Sequence, residues 1–145
     1  MKATRDTFGT TLAELGHTNE KLVVLSADLA KATRLSYFKD RHPDRFFELG
    51  IAECNMIGIA SGLAEHGHRV FMASFASFLT GKYDVIRVSV GYSNAPVVLV
   101  GSHAGLAIGK DGVTQMGLED IALMRAIPGM SVLQPATPAE AAQIT

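Results

Sequence analysis

Short apolar runs alternate with helical patterns along this chain, and that alternation limits the fold more than any other feature. Runs of this kind are typical of strands in a buried parallel sheet. The strands are predicted at residues 21–27, 45–49, 69–74, 96–101 and 131–134. The helices are predicted at residues 4–15, 53–66, 78–92 and 118–126, with 28–39 mainly loop and a helical turn before residue 42. The pattern indicates an α/β protein in three layers, with helices on both faces of a mostly parallel sheet.

Composition narrows the class of protein. The chain has 145 residues, of which 48% are hydrophobic and 19% charged, enough for the core of one domain. Acidic and basic residues are interspersed and the net charge is −1, so we expect no nucleic-acid partner. Cys54 alone excludes an internal disulfide, and the apolar runs are too short to cross a membrane. We therefore expect a cytoplasmic protein without a membrane anchor.

The last residues carry a helix-start signal. Thr137, Pro138 and Glu140 fit an N-cap, the first helical position and the third, which together predict a capping box. The helix that they open has about two turns before the sequence ends. A naturally short helix is one interpretation; we favour the other, a chain cut before a further C-terminal domain.

Four residues follow predicted strand ends: Asp28, Glu53, Phe75 and His103. Ligands of parallel α/β sheets bind beyond the carboxyl ends of the strands, so this shared placement favours a site. Polar residues also gather there simply because loops begin there. Either explanation is open for one residue, and a site is favoured for the four together.

Each candidate has a structural alternative. Glu53 is either a charge partner of a helix N-terminus or a general acid–base group. Phe75 is equally well explained as core or as a stacking surface for a flat ligand, whereas Phe78 leans toward stacking. His103, in a loop of small residues, either stabilises that loop or contacts ligand oxygens. The remaining histidines lack metal-ligand spacing and are predicted to be solvated: His17, His42, His66 and His68.

Several segments together resemble the pyrimidine-binding domain of transketolases, most closely the C-terminal subunit of split transketolases, in which two polypeptides share one enzyme. The resemblance covers essentially the whole chain, residues 1–145. It is carried by the Gly-Ile-Ala-Glu-Cys-Asn run at 50–55, the Ser-Phe-Ala-Ser-Phe run at 74–78, the glycine loop at 101–112, and residues 117–128 and 134–136. It implies the thiamine diphosphate-binding fold.

The resemblance also implies roles on the cofactor side. Glu53 matches the glutamate that shares a proton with N1′ of the aminopyrimidine ring and so activates the cofactor. Phe75 and Phe78 match the aromatic wall of the aminopyrimidine pocket. Asp28 matches an acid at the subunit interface beside the cofactor.

On the substrate side, His103 matches a substrate-binding histidine, which we count with Glu53 among the catalytic residues. Asp111 matches the acid that contacts a hydroxyl of the donor sugar. Three departures from the usual pattern stand nearby: Gln115 replaces a second loop histidine, Lys110 replaces an acid, and Ala32 replaces a hydroxyl that helps hold the acceptor's phosphate. We expect Gln115 to line the substrate site and the departures to alter substrate choice.

The implied function is transfer of a two-carbon ketol unit between sugar phosphates, with thiamine diphosphate and Mg²⁺ or Ca²⁺. Relatives hold the diphosphate and the metal with a separate domain carrying a Gly-Asp-Gly…Asn motif, which this sequence lacks. We therefore expect no metal ligands here, a diphosphate-binding partner domain or subunit, and a homodimer in which Gly58 and Gly62 let helices approach closely. Three alternatives stay open: the β subunit of a 2-oxoacid dehydrogenase E1 component, a deoxyxylulose-phosphate-synthase-like enzyme, and a noncatalytic module that binds a partner subunit.

Overall fold

The computed structural model describes residues 3–145 and contains a four-stranded sheet in the order β2-β1-β3-β4. All three strand pairs are parallel. The strands are β1 (Leu22–Ser26), β2 (Phe46–Glu48), β3 (Arg69–Phe75) and β4 (Val97–Ser102). The predicted parallel α/β fold is therefore confirmed, and four of the five predicted strands form.

Seven α-helices connect and flank these strands in the described part of the chain. They are α1 (Thr4–Thr18), α2 (Ser36–Arg41), α3 (Glu53–Glu65), α4 (Ala76–Thr80), α5 (Tyr83–Ile86), α6 (Asp120–Arg125) and α7 (Pro138–Ile144). Within residues 3–145, none of them has the length and apolarity that a bilayer span requires.

Both faces of the sheet are covered, because alternate residues of its central strands enter two different cores. In β1, Leu22 and Val24 pack with α1 and α2, while Val23 and Leu25 pack with α3. All five residues of β1 are buried. The three-layer arrangement follows directly from this burial on both sides.

The predicted strand at 131–134 is wrong. These residues carry no strand pairing, and Leu133 is 67% exposed. A cavity of about 930 Å³ lies between this segment and β4, so the backbone of the segment does not reach the ladder. Strand β4 is consequently the edge of the sheet.

The single helix predicted at 78–92 begins earlier and is interrupted. Helix α4 starts at Ala76 and ends before Gly81, α5 follows, and the chain continues to Tyr92 in wide π-type turns. In this last segment, Gly91 packs against Ile127, and a Cβ on residue 91 would lie 2.3 Å from Cγ2 of Ile127. Close approach of these two segments requires a residue without a side chain.

His42 is also not solvated as predicted. It is buried, its Nε2 lies 2.9 Å from the carbonyl oxygen of Ala13, and its Nδ1 lies 2.9 Å from a guanidinium nitrogen of Arg45. The capping box at the start of α7 is confirmed, with the Thr137 hydroxyl accepting the Glu140 N–H and the Glu140 carboxylate accepting the Thr137 N–H.

Candidate active site

The sheet order places a crevice where ligands of such folds bind. From β1 the chain passes to β2 on one side and then to β3 on the other, so the order reverses between β1 and β3. The carboxyl ends of these strands meet at one edge, where the direction of the connections leaves room for a ligand. Glu53 at the start of α3, Phe75 at the end of β3 and His103 directly after β4 lie at this edge.

Glu53 is the acid at this edge. It is the first residue of α3 and only 8% of its surface is exposed. The hydroxyl of Ser74, which is fully buried, lies 3.3 Å from Glu53 Oε1 and donates to it. A carboxyl group that is almost completely buried and accepts one hydrogen bond from a hydroxyl fits a proton-sharing role toward a ring nitrogen.

Three rings form a column at the carboxyl ends of β3 and β4. The Phe75 and Phe78 rings are stacked, with centroids 5.4 Å apart and an angle of 18°. The His103 ring lies 4.1 Å from the Phe75 ring, tilted by 34°. Phe75 is therefore buried between two rings, and the half-buried Phe78 forms the outer end of the column.

His103 lies immediately after β4 with a backbone φ of 55°. Its Nδ1 is 2.9 Å from the hydroxyl of Ser102, and its Nε2 is 2.9 Å from a guanidinium nitrogen of Arg5. Burial lowers the pKa of His103 first, and the charges of Arg5 and Arg34 lower it further, while Asp111 opposes them. The imidazole is thus favoured in its neutral form.

The glycine loop folds back to its own start. The Gly105 N–H donates to the Gly117 carbonyl over 2.8 Å, closing the loop that carries Asp111 and Gln115. Gly117 packs so tightly on α4 that a Cβ there would lie 2.7 Å from the Cβ of Ala76. The loop brings Asp111 close enough to His103 to affect its pKa, and Gln115 is half-buried on its returning limb.

Asp28 and Glu48 meet at the other side of the edge. The Glu48 carboxylate accepts the Asp28 backbone N–H over 2.6 Å, and Asp28 has φ 60°. Arg34, at φ 66°, has its guanidinium bound to the Asp6 carboxylate at 2.5 Å. Asp28 and Arg34 therefore have left-handed backbone conformations, which cost free energy for residues other than glycine. Such strained residues cluster at functional sites.

Sequence reasoning missed the groups that hold the predicted residues in place. Arg5 lies on α1, 98 residues before His103, and carries no local motif. Ser74 and Ser102 occupy the ends of β3 and β4, so the same strand-end rule that selected Phe75 and His103 could have found them.

The fold and this edge define a ligand-binding α/β domain of the doubly wound type. The sequence matches the family described as "Transketolase, pyrimidine binding domain" over residues 1–145. The chain therefore belongs to the pyrimidine-binding domain family of transketolases, which confirms the resemblance noted from the sequence.

Curated relatives agree with this membership. A putative transketolase C-terminal section of Methanocaldococcus jannaschii is 47% identical over 135 residues, covering 92% of this chain and 43% of that protein. Human transketolase is 43% identical over 134 residues, covering 92% of this chain and 21% of that protein. The chain thus spans less than half the length of these relatives.

Solved structures give the same fold. A split gene transketolase, described as an inactive β4 tetramer, has a TM-score of 0.86 and 43% identity, covering 98% of this chain and 46% of that chain. Transketolase from Leishmania mexicana has a TM-score of 0.85 and 26% identity, covering 97% of this chain and 22% of that chain.

Proposed function

We propose that this chain supplies the aminopyrimidine-binding half of an enzyme that transfers two-carbon ketol units between sugar phosphates. The observation that carries the proposal is the nearly buried Glu53 carboxyl group, held by Ser74 at the reversal point of the sheet. Family membership supplies the context, and the relatives named transketolase support the transferase activity.

The residues present fit thiamine diphosphate. The nearly buried Glu53 carboxyl group is bonded to Ser74, which directly precedes Phe75 of the aromatic column. An aminopyrimidine needs both a proton partner and an apolar wall. Thiamine diphosphate, when bound, supplies the carbon centre that accepts a ketol unit. Glu53 holds the proton at N1′, and Phe78 offers the accessible face of the column. Phe75 backs that ring from behind.

The diphosphate and its metal are proposed to be held by another domain or subunit. Over residues 3–145, His, Cys, Asp and Glu side chains do not gather in groups of three that could hold a metal ion. We assign Mg²⁺ or Ca²⁺ to that partner. We propose that Asp28, which is exposed after β1, faces the cofactor at this boundary.

We also propose that helix α3 forms a homodimer contact. Nothing lies within 4 Å of a Cβ built on Gly58 or Gly62, so this face has room for a second helix. Ile51, just before the helix, is 82% exposed, which suits burial against a partner. The split gene transketolase described as a tetramer of β chains supports self-association of this kind of subunit.

The substrate end is proposed to lie at the glycine loop. His103 and Asp111 receive hydroxyls of the sugar, with Gln115 beside them, and the guanidinium of Arg5 offers a positive charge to a phosphate. Ala32 contributes no hydroxyl to that end. A cytoplasmic location is part of the proposal, and the free, exposed thiol of Cys54 is compatible with it.

The test is Glu53→Gln in the enzyme assembled with its diphosphate-binding partner. An amide cannot hand a proton to N1′, so we expect hydrogen–deuterium exchange at C2 of the cofactor to slow by at least about 100-fold, the lower end of general acid–base effects. Glu65→Gln, at the exposed end of the same helix, is the matched control and should exchange like the wild type. Wild-type exchange in Glu53→Gln would contradict the proposal.

One observation and one experiment bear on the alternatives. The split gene transketolase tetramer is described as inactive, which supports a chain that has no turnover by itself, without making it noncatalytic in the full assembly. Ketose and 2-oxoacid donors, compared in the assembled enzyme, separate the proposed transferase from a dehydrogenase subunit or a deoxyxylulose-phosphate synthase. A clear preference for the 2-oxoacid would overturn the ketol transfer.

A further inference from the structure

We propose that Ser74 is a positioning residue that fixes which oxygen of Glu53 carries the acid–base chemistry. Its hydroxyl occupies Oε1, so that Oε2 is the oxygen left to share a proton with the ring nitrogen of the cofactor. The inference rests on the proposed function, because it specifies how the Glu53 carboxyl group is oriented for that role. It depends on the burial and the hydrogen bonds of these two side chains.

The side chain of Ser74 reaches Glu53 because of its register in β3. Successive side chains of a strand point to opposite faces of the sheet, and Val70 and Met72 belong to the core on the α3 side. Ser74 continues this row at the carboxyl end of the strand, and its hydroxyl lies 3.3 Å from the carboxyl group of the first residue of α3. A single hydroxyl thus ends a row that is otherwise apolar.

The direction of this hydrogen bond follows from burial. Ser74 is fully buried, so water cannot accept the proton of its hydroxyl. Within residues 3–145, that hydroxyl has one partner, which is Oε1 of Glu53. Hydrogen bonds of catalytic groups are often long without their ligands and shorten in the complex. Ser74 therefore donates, and Oε1 is the carbonyl oxygen whenever the carboxyl group is protonated.

The second oxygen of Glu53, Oε2, stays free. In the described part of the chain, the buried side-chain nitrogen and oxygen atoms without a partner are Nδ1 of His68 and Oγ of Ser77. Oε2 of Glu53 is not one of these atoms and has no hydrogen bond to residues 3–145, so it reaches the protein surface. The small exposed part of Glu53 thus includes the oxygen that Ser74 does not hold.

The contact distinguishes Glu53 from an acid that only caps its own helix. A glutamate in the first turn of a helix can accept the free N–H groups there. Within residues 3–145, the Glu53 carboxyl group accepts none of them and is bonded to a neighbouring strand instead. A carboxyl group held through one oxygen keeps its orientation before the cofactor arrives, and its acidic proton then lies on Oε2. Ser74 thereby pre-organises the proton-sharing group.

Infrared difference spectroscopy of the 145-residue chain tests the contact without cofactor or partner. Glutamate is labelled with ¹³C at the carboxyl carbon, and Glu53→Gln identifies the bands of Glu53 at neutral pH. Loss of a donated hydrogen bond should raise the C=O stretch of a protonated carboxyl group, or bring the two stretches of an ionised one closer together. We expect one of these shifts in Ser74→Ala, and unchanged Glu53 bands would overturn the proposal.

Ser61→Ala is the matched control, because Ser61 lies on the same helix and its buried hydroxyl donates to the Ser89 carbonyl over 2.5 Å. This control should leave the Glu53 bands in place, and a shift equal to that of Ser74→Ala would overturn the proposal. Ser74→Thr keeps the hydroxyl and should keep the wild-type bands. Ser74→Cys replaces the hydroxyl by a weaker donor of similar volume and should shift the bands partway. Wild-type bands in Ser74→Cys would overturn the proposal even if Ser74→Ala fails to fold.

Hydrogen–deuterium exchange at C2 of the cofactor in the assembled enzyme gives a second readout. Loss of one neutral hydrogen bond should slow this exchange about two- to tenfold in Ser74→Ala, with KM for a ketose donor nearly unchanged. Adding Ser74→Ala to Glu53→Gln should slow the exchange no further, because Ser74 acts through Glu53. Further slowing in the double variant would overturn the proposal.

The role of Ser74 and the proposed function fail separately. Wild-type exchange in Glu53→Gln would overturn the proposed function. Slow exchange in Glu53→Gln together with wild-type exchange in Ser74→Ala would overturn only the role of Ser74. The infrared result is independent of the exchange measurement, since it requires neither the cofactor nor the partner.

Discussion

Replacing Gly58 by alanine should stabilise the isolated chain and weaken its association. Gly58 lies inside α3, and a Cβ built on it meets nothing within 4 Å. Alanine is favoured over glycine in a helix interior by about 0.8–1 kcal/mol, so the free energy of unfolding should rise by about that amount. For a domain of this size the midpoint of thermal unfolding should rise by about 3 °C.

Gly91→Ala is the control, because this substitution should lower the free energy of unfolding instead of raising it. Its new methyl group would lie 2.3 Å from Cγ2 of Ile127, and overpacking of this kind costs about 1–3 kcal/mol. Urea unfolding of both variants and the wild type measures the two changes. A loss of stability in Gly58→Ala would mean that the face of α3 already packs inside the chain, and the reasoning would be refuted.

The same variant tests the proposed homodimer. If a second helix approaches over Gly58, an added methyl group occupies the space that it needs, and sedimentation velocity should show weaker self-association. Unchanged association together with raised stability would place the contact elsewhere. A change in stability alone therefore cannot be mistaken for a change at the interface.

Four further predictions concern the site and helix α7. The pKa of His103 is held below its ordinary value of 6.5, so the unfolded chain binds the proton more readily; the free energy of unfolding should fall as the pH drops below about 6.5. Urea unfolding at several pH values should show a smaller fall in His103→Asn, and an identical fall would contradict the assignment. Thr137→Ala should cost about 1 kcal/mol by removing the cap of α7, as measured by urea unfolding, and no change would mean that α7 is not coupled to the rest of the fold. In the assembled enzyme, Ala32→Ser should raise kcat/KM for pentose phosphates by about tenfold, because a hydrogen bond to a charged group contributes about 1.5–3 kcal/mol. Gln115→His should raise the same quantity in assays with these substrates, and no rise in either variant would show that these positions do not set specificity.

The central fold could be predicted because its signals are local. The run at 22–25 is apolar at every position, and a strand with that pattern is typically buried on both faces of a sheet. The start of α3 at Glu53 and the cap at Thr137 also depend only on neighbouring residues. The conformation of such elements depends on a few neighbouring residues in the sequence.

The wrong predictions concern residues whose structure depends on groups far away in the sequence. Residues 131–134 have strand composition, but a strand needs a partner strand at hydrogen-bonding distance. A cavity separates this segment from β4, so the two backbones do not pair. His42 is buried because Arg45 and the Ala13 carbonyl satisfy both ring nitrogens, which composition cannot reveal.

The candidate site divides in the same way. Phe75 and His103 could be selected by their position after a strand, but their contact at 4.1 Å depends on how two strands pair. Arg5 could not be selected at all, since nothing in its local sequence connects α1 to the glycine loop. Residues that carry chemistry were therefore easier to predict than the residues that orient them.

Asp28, Arg34 and His103, near the carboxyl edge of the sheet, have left-handed backbone conformations that lower the stability of the domain. Their φ values of 60°, 66° and 55° suit glycine, and other residues pay about 1–2 kcal/mol each for that conformation. Glycine at Asp28 or His103 should therefore make the domain more heat-resistant while deleting a side chain proposed for the site, whereas glycine at Arg34 would also remove the ion pair with Asp6. Selection for thermal tolerance alone would enrich those replacements, and an improved variant from such a screen would be a better scaffold and a poorer enzyme.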